Sequence, residues 1–574
     1  MPYPLRLAPL ALAACLMSVM PALGQGGGHE PLGTVGAYLA AREANARSDY
    51  AASPPYLERL LQHDGENRVL LNSFLVNQVV LGQQARAVEL AERLAALDPA
   101  NDAARLVLIS NAFAQADHAQ VLALAADSPT GNDLADGLAP AWAHLGKGSM
   151  TEALDALDAL TERDGMAAFA LYSRALALAI VGDVEGALAV IEDPEHGIGR
   201  VLNRRGIIAH AQLLALAERP QDALALIDEV FAEPERDPRL AAMIAAYRDG
   251  GAVPFDVIAT PAEGLAEVFA ALGSVLQSAQ NPHDGLMFAR LALWLNPQLS
   301  ETRVLVGQLF EGLGQPELAA QTYAEVPEGD FFGMAAAMGQ AQTLYSIGRE
   351  DEAIEVLEGL TRAYPGSVAT WHVLGDFLRF AGRAEEAVAA YDRAVAMLQE
   401  QGRDPDWVLL HNRALLNQRL DRWEQAEADF RAALADEPDQ PTVLNNFGYT
   451  LVERRQDLEE ALEMIRRAVE AEPDNGYFVD SLAWAKFRLG RYDEALPHME
   501  RAVELMPADA ILNDHLGDVY WAVGRYREAR FQWRRALSFG PHDEMDSDRV
   551  RRKLEVGLDQ VLAEEGAPPL HDVE

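Results

Sequence analysis

Residues able to do chemistry are plentiful in this 574-residue chain, but they are scattered. A zinc site needs three or four histidine, cysteine or carboxylate ligands at close spacing. The thirteen histidines include no pair at helical ligand spacing and no HExxH, and the one cysteine, Cys15, lies near the N-terminus. The glycine loops that cradle phosphates and dinucleotides do not occur, nor does the GxSxG turn of serine hydrolases. Carboxylates are abundant, but paired acids on amphipathic helices are ordinarily solvated faces. The inventory offers no catalytic residue, metal ligand or cofactor site, and the chain reads as noncatalytic.

Aromatic side chains are the remaining source of specific contact. In "DHLGDVYWAVGRYREARFQWRRAL", Asp514 to Leu537, Tyr520, Trp521 and Trp533 either grip a ligand or hold two helices together. Tyr520 and Trp533 fall at packing positions. Trp521 points roughly 100° away from Tyr520 around a helix, toward a surface that a ligand can reach.

The elements that position these rings follow from composition. Ala, Leu and Glu dominate and aromatics make up 7%, which favours helices throughout. One core does not serve 574 residues, so several domains or a repeat array are required. Charge is lopsided, with 47 Lys and Arg against 88 Asp and Glu for a net −41. Such a surface repels phosphate backbones and anionic lipid, so nucleic acid is excluded and a neutral or basic partner is expected. Only three cations are lysines: Lys147, Lys486 and Lys553.

The first residues read as an export signal, 1–24. Arg6 precedes an apolar run to Leu23, and Ala22-Leu23-Gly24 offers a small-x-small cleavage site before Gln25. Leu12-Ala13-Ala14-Cys15 also resembles a lipobox, which makes Cys15 the candidate lipidation site. The expected location is therefore periplasmic, with membrane attachment only through a lipid on Cys15.

Internal repetition gives the architecture. Leu482, Gly490, Ala495, Ala502 and Pro507 recur 34 residues later as Leu516, Gly524, Ala529, Ala536 and Pro541. Equivalent positions fall at Leu272, Val306, Gln340, Leu374, Arg413, Phe447, Leu482 and Leu516, and weaker ones near Ala41, Leu75, Ala141, Ala175 and Ala211 with a degenerate unit at 106–124. One unit reads Trp371, Leu374, Gly375, Leu378, Ala387, Tyr391 and Ala394; the next two close with Ala426, Phe430, Ala433, Pro438 and with Ala461, Ile465, Ala468, Pro473. This pattern resembles the tetratricopeptide repeat (TPR) family. Ala414 and Ala483 stand where the family usually has glycine, and Lys486 where it has an aromatic.

The resemblance implies an all-α fold, a right-handed α-solenoid of stacked helix-turn-helix hairpins. Gly517 and Ala529 lack bulk and let paired helices approach, while Gly524 suits the left-handed turn between them. No hairpin buries its own apolar face, so each stacks on the next. The expected organisation is degenerate repeats over 25–246, an interrupting segment 247–264, eight regular units over 265–541 and a capping helix and tail, 542–574. Val550, Leu554, Leu558, Val561 and Leu562 form the apolar face of that cap. Ser53-Pro54-Pro55 marks a late-starting second helix in the first unit.

In this family the first helix of each hairpin lines a concave groove. Carried over by position, the groove residues are His372, Asp376 and Arg379; His411 and Gln418; Asn445, Tyr449 and Val452; Tyr477, Asp480, Trp484 and Phe487; and Asp514, Asp518 and Trp521. The family's carboxylate clamp needs lysines here. Asn445 and Asn446 are present, but no lysine lies nearby in sequence, and Asp480, Asp514 and Asp518 repel a carboxylate. A neutral or basic protein or peptide is the expected partner of an exported, noncatalytic scaffold. The alternatives are a lipid-anchored outer-membrane or envelope assembly factor, and an accessory subunit of an envelope enzyme or polysaccharide-export complex.

Overall fold

The computed structural model describes residues 33–127, 137–194, 197–199, 202–232, 237–540, 545–567 and 570. The expected signal 1–24, with Cys15, lies outside the described residues. Those described form 31 α-helices and no strand. They divide into two compact units, one ending at Gly339 and the other beginning at Gln340.

The first unit opens with six helix pairs. These are α1 (Thr34–Ala46) with α2 (Pro54–His63), α3 (Arg68–Val80) with α4 (Gln84–Leu97), and α5 (Asp102–Ala114) with α6 (His118–Asp127). There follow α7 (Ala139–Gly146) with α8 (Met150–Thr161), α9 (Ala167–Ile180) with α10 (Val184–Ile191), and α11 (Arg204–Leu216) with α12 (Pro220–Val230). A single helix, α13 (Pro238–Arg248), comes next. Pairing resumes with α14 (Pro261–Ser278) and α15 (Pro282–Leu295), then α16 (Ser300–Gly312) and α17 (Pro316–Ala324). The division falls within α18 (Gly333–Ser346), which precedes α19 (Glu350–Ala363).

The second unit continues with α20 (Val368–Phe380) and α21 (Ala384–Glu400), α22 (Trp407–Arg419) and α23 (Trp423–Asp436), and α24 (Pro441–Arg454) and α25 (Leu458–Ala471). Last come α26 (Gly476–Arg488) and α27 (Tyr492–Leu505), α28 (Ala510–Ala522) and α29 (Tyr526–Ser538), then α30 (Ser547–Val556) and α31 (Leu558–Glu564). Pro54 and Pro55 occupy the first turn of α2, where the missing N–H costs nothing.

One packing rule repeats within the hairpins. A ring from the second helix lies on a glycine of the first. A Cβ on Gly517 would sit 2.3 Å from Trp533, one on Gly375 2.5 Å from Tyr391, and one on Gly307 2.3 Å from Tyr323. The polar tip of each ring then reaches an acid on the first helix: Trp533 Nε1 donates to Asp518 at 2.8 Å, Tyr391 Oη to Asp376 at 2.6 Å, and Tyr323 Oη to Glu311 at 2.9 Å. Burying a ring without a partner for its N–H or O–H would forfeit part of the gain. The turn between α28 and α29 has Gly524 at φ 81°, as its sequence requires, whereas the turn after α22 holds Asp421 at φ 56°.

Two features depart from the repeat pattern. The segment expected to interrupt the array at 247–264 lies inside the first unit: Val257 and Ile258 are buried, and Arg205 Nη2 donates to the Val257 carbonyl at 2.7 Å. Val257 and Ile258 join the same apolar core as Met243 and Tyr247 of α13. After it, the hairpin α14–α15 packs on α3, α5, α7 and α9 as well as on its sequential neighbour α16. Gly264 meets the Trp142 ring so closely that a Cβ would stand 2.3 Å away. The second departure is the cap, expected as one helix but broken at Gly557, whose φ of 88° no other side chain adopts at low cost.

Gly517→Ala is expected to cost about 1–3 kcal/mol by overpacking against Trp533, whereas Gly312→Ala, at a helical site with open space around the new methyl group, should be neutral or slightly stabilising. Urea denaturation followed by circular dichroism separates the two.

Candidate functional site

The expected groove residues lie on α20, α22, α24, α26 and α28, all within the second unit. At its C-terminal end that surface is occupied. Lys553 of α30 is fully buried and places Nζ 2.6 Å from Asp514 and 2.6 Å from Asp518. Arg549, one turn earlier, lies 3.7 Å from the other oxygen of Asp518. Burial pushes the Asp514 pKa upward and Asp518 adds to the rise, against the pull of Lys553.

Trp521 is committed in the same way. Its Nε1 donates to Asp559 of α31 at 2.8 Å, its ring lies 5.3 Å from Trp533, and Gly557 sits so near that a Cβ would be 2.4 Å from it. The surface expected to be open around Asp514, Asp518 and Trp521 is thus a core between α28, α29 and the chain's own α30–α31. Two carboxylates facing inward on one helix need a cation, and the chain supplies it.

Asp480, Trp484 and Phe487 are buried too. Asp480 receives His515 Nδ1 at 3.0 Å. The Trp484 ring is stacked between His515, 4.0 Å away at 12°, and Phe487, 4.8 Å away at 11°, and its Nε1 donates to Glu453 at 2.6 Å. Burial works against a charged imidazole, yet Asp480, with Asp514 and Asp518 behind it, holds the His515 pKa above the ordinary histidine value of 6.5.

The middle of the second unit is different. His372, Asp376 and Arg379 share one half-buried face of α20. Asp376 receives Tyr391 Oη and, at 3.2 Å, Asn412 Nδ2 of α22. His411 Nε2 accepts from Asn446 Nδ2 at 2.9 Å, and burial, with Arg379 nearby, drives its pKa down to about 4, so the ring is neutral. Gln418 accepts from Thr450 at 3.0 Å, and Val452 is fully buried. Tyr449 is half-buried, and the exposed Tyr477 donates to Asp509 at 3.3 Å. Four buried polar atoms on α20 and α24 have no hydrogen-bond partner among the described residues: Trp371 Nε1, His372 Nε2, Arg379 Nε and Asn445 Oδ1.

Lys553, Arg549, Asp559 and Glu453 escape a reading by repeat position. The first three lie 31 to 39 residues from the groove residues they serve, outside the repeat, and only tertiary packing joins them. One signal was present: Lys553 follows Val550 by three residues, which puts a lysine on the apolar side of its helix. Among the described residues no group of three or more His, Cys, Asp or Glu is placed to hold a metal ion.

Comparison with known proteins agrees with the helical pattern. The tetratricopeptide repeat model matches residues 138–193, 304–368, 338–405, 411–476 and 481–544, about half of the chain. The TPR repeat-containing protein PA4667 of Pseudomonas aeruginosa is 30% identical over 187 residues, 32% of this chain and 31% of that relative. Protein FlbA of Caulobacter vibrioides is 30% identical over 143 residues, 25% of this chain and 23% of the relative. The chain thus covers about a third or less of either. Among solved structures, the Cut9–Hcn1 hetero-tetramer of the APC/C aligns with 91% of this chain and 96% of its own at 13% identity and a TM-score of 0.35. Yeast Tom70 aligns with 93% and 98% at 14% identity and a TM-score of 0.32.

Lys553→Met would strand two buried carboxylates, and a loss of about 3–5 kcal/mol is expected; tryptic cleavage within 549–553 should accelerate as α30 detaches. A second expectation concerns pH. Because the folded His515 holds its proton more tightly than the unfolded ring, its contribution is complete below about pH 6.5 and is lost as pH rises through the folded pKa. The urea midpoint should fall as pH rises above about 6.5, and His515→Gln should flatten that fall.

Proposed function

The chain belongs to the tetratricopeptide repeat family, and from that premise we propose that its second unit holds an extended neutral or basic segment of another envelope protein across α20, α22 and α24. A solenoid of such repeats is a scaffold for protein–protein interaction. The observation that carries the finer reading is a set of buried polar atoms without a hydrogen bond among the described residues: Arg379 Nε, Asn445 Oδ1 and His372 Nε2, the last 3.8 Å from Asp376. Each is costly to leave unpaired. The backbone N–H and C=O groups of an extended peptide supply both the donors and the acceptors that these atoms need.

Charge supports the choice of ligand. The chain carries a net −41, and both lysines of the second unit are already engaged, Lys553 by Asp514 and Asp518 and Lys486 by Glu494 at 3.4 Å. A carboxylate clamp therefore has no free lysine there, whereas Asp376 on α20 favours a donor or a cation. The proposed setting is the cell envelope, reached through the N-terminal signal, with Cys15 as the alternative point of lipid attachment. No helix among the described residues is long and apolar enough to cross a membrane.

The test places a photocrosslinking amino acid at Tyr449 in the native organism and identifies the adduct in intact envelopes by mass spectrometry. A single neutral or basic segment is expected, with its adduct lost and its affinity reduced by about 1–3 kcal/mol in a folded Asn445→Ala variant. Adducts that persist unchanged in that variant, or that map to an acidic segment, would sink the reading. The same spectra report the mature N-terminus, expected at Gln25.

A further inference from the structure

The first unit contains a polar site that the groove reading does not use. A cavity of about 270 Å³ opens among the N-terminal ends of α11, α13 and α16 and the turn 329–332. Three arginines line it, and each is already matched: Arg204 with Asp237, Arg205 with Glu267 at 2.6 Å, and Arg239 with Asp256. Asp330 on the same wall receives Ser300 Oγ and the Phe332 N–H, both at 2.8 Å.

Glu301 is the exception. It lies in the first turn of α16, lines the cavity, and makes no hydrogen bond or ion pair among the described residues. Burial pushes its pKa upward, and the Arg204 and Arg205 guanidinium groups offset that only in part. Beside it stands Phe331, with Arg204 3.9 Å from the ring centroid and 43% of the residue still exposed. Once the three pairs are set aside, the wall is left with a carboxylate surplus and a reachable ring.

We propose that this cavity binds a cationic side chain, arginine or lysine, of a partner polypeptide, with Glu301 as its carboxylate and Phe331 as its aromatic wall. A desolvated carboxylate gains from a cation placed against it, and the face or edge of an accessible phenyl ring adds cation–π attraction or apolar contact with the stem. An anionic ligand would meet Glu301 and Asp330 while all three guanidinium groups are engaged elsewhere. A divalent metal would need several oxygen ligands, and no such cluster occurs among the described residues. This site is independent of the segment proposed on α20, α22 and α24.

Saturation-transfer NMR of the full chain with N-acetyl-arginine methylamide, beside its neutral isostere N-acetyl-citrulline methylamide, tests the assignment at a salt concentration high enough to suppress diffuse binding to the acidic surface. The arginine probe should give a signal at least fivefold above citrulline. That excess should vanish in Glu301→Gln, shrink in Phe331→Ala and survive in Asp376→Asn, each variant being checked for an unchanged melting temperature. An excess that persists in folded Glu301→Gln, or equal signals from the two probes, overturns the proposal. Loss in Asp376→Asn alone would place arginine binding on α20 and likewise overturn it.

Discussion

Three hairpins of this fold depend on a ring lying against a glycine. Where Gly307, Gly375 and Gly517 remove the Cβ from a first helix, Tyr323, Tyr391 and Trp533 of the second helix occupy the space. The approach brings the helices to a distance at which dispersion is gained along their whole contact. It also fixes register, because each ring ends in an N–H or O–H that finds an acid on the first helix. A hairpin built this way presents an apolar face that it does not bury by itself, so stacking follows.

The acids that serve as ring partners have a second consequence. Asp376 and Asp518 occupy equivalent positions in their repeats, each following the glycine. In the middle of the second unit Asp376 is half-buried, accepts from Tyr391 and Asn412, and has Arg379 of its own helix 3.9 Å away. Under the cap, Asp518 and its neighbour Asp514 are dry, and a pair of dry carboxylates demands compensation. Lys553 provides it, together with Arg549. One repeat position is therefore half-exposed in one hairpin and part of a core in another, and what covers it makes the difference.

The first unit meets the same constraint by other means. Its α14–α15 hairpin packs on α3, α5, α7 and α9, so surfaces that an open array would expose become interior. Two buried carboxylates there are paired across 33 and 62 residues, Asp237 with Arg204 and Glu267 with Arg205, while the exposed Asp256 pairs with Arg239. Pairing of this kind adds little net stability but penalises arrangements that separate the partners. It holds α11, α13 and α14 in one arrangement where the repeat sequence itself has weakened.

By itself the sequence determined the helices, their pairing and their period. Small residues, rings and turn glycines act within some 34 residues of one another, and their spacing records those contacts directly. Tyr520 and Trp533 read as packing residues for that reason, and Trp533 lies on Gly517 as its position implies. Tertiary structure alone decided which repeat positions stay open. Trp521, Asp514 and Asp518 carry the same local signature as groove residues elsewhere, but α30 and α31 arrive from outside the repeat and cover them. Likewise the stretch 247–264 reads from its composition as an interruption, and only the fold shows that Arg205 and Gln212 bond to Val257 and Asp256 within it. Exposure is a property of what packs on a surface, and residues distant in sequence supply that packing.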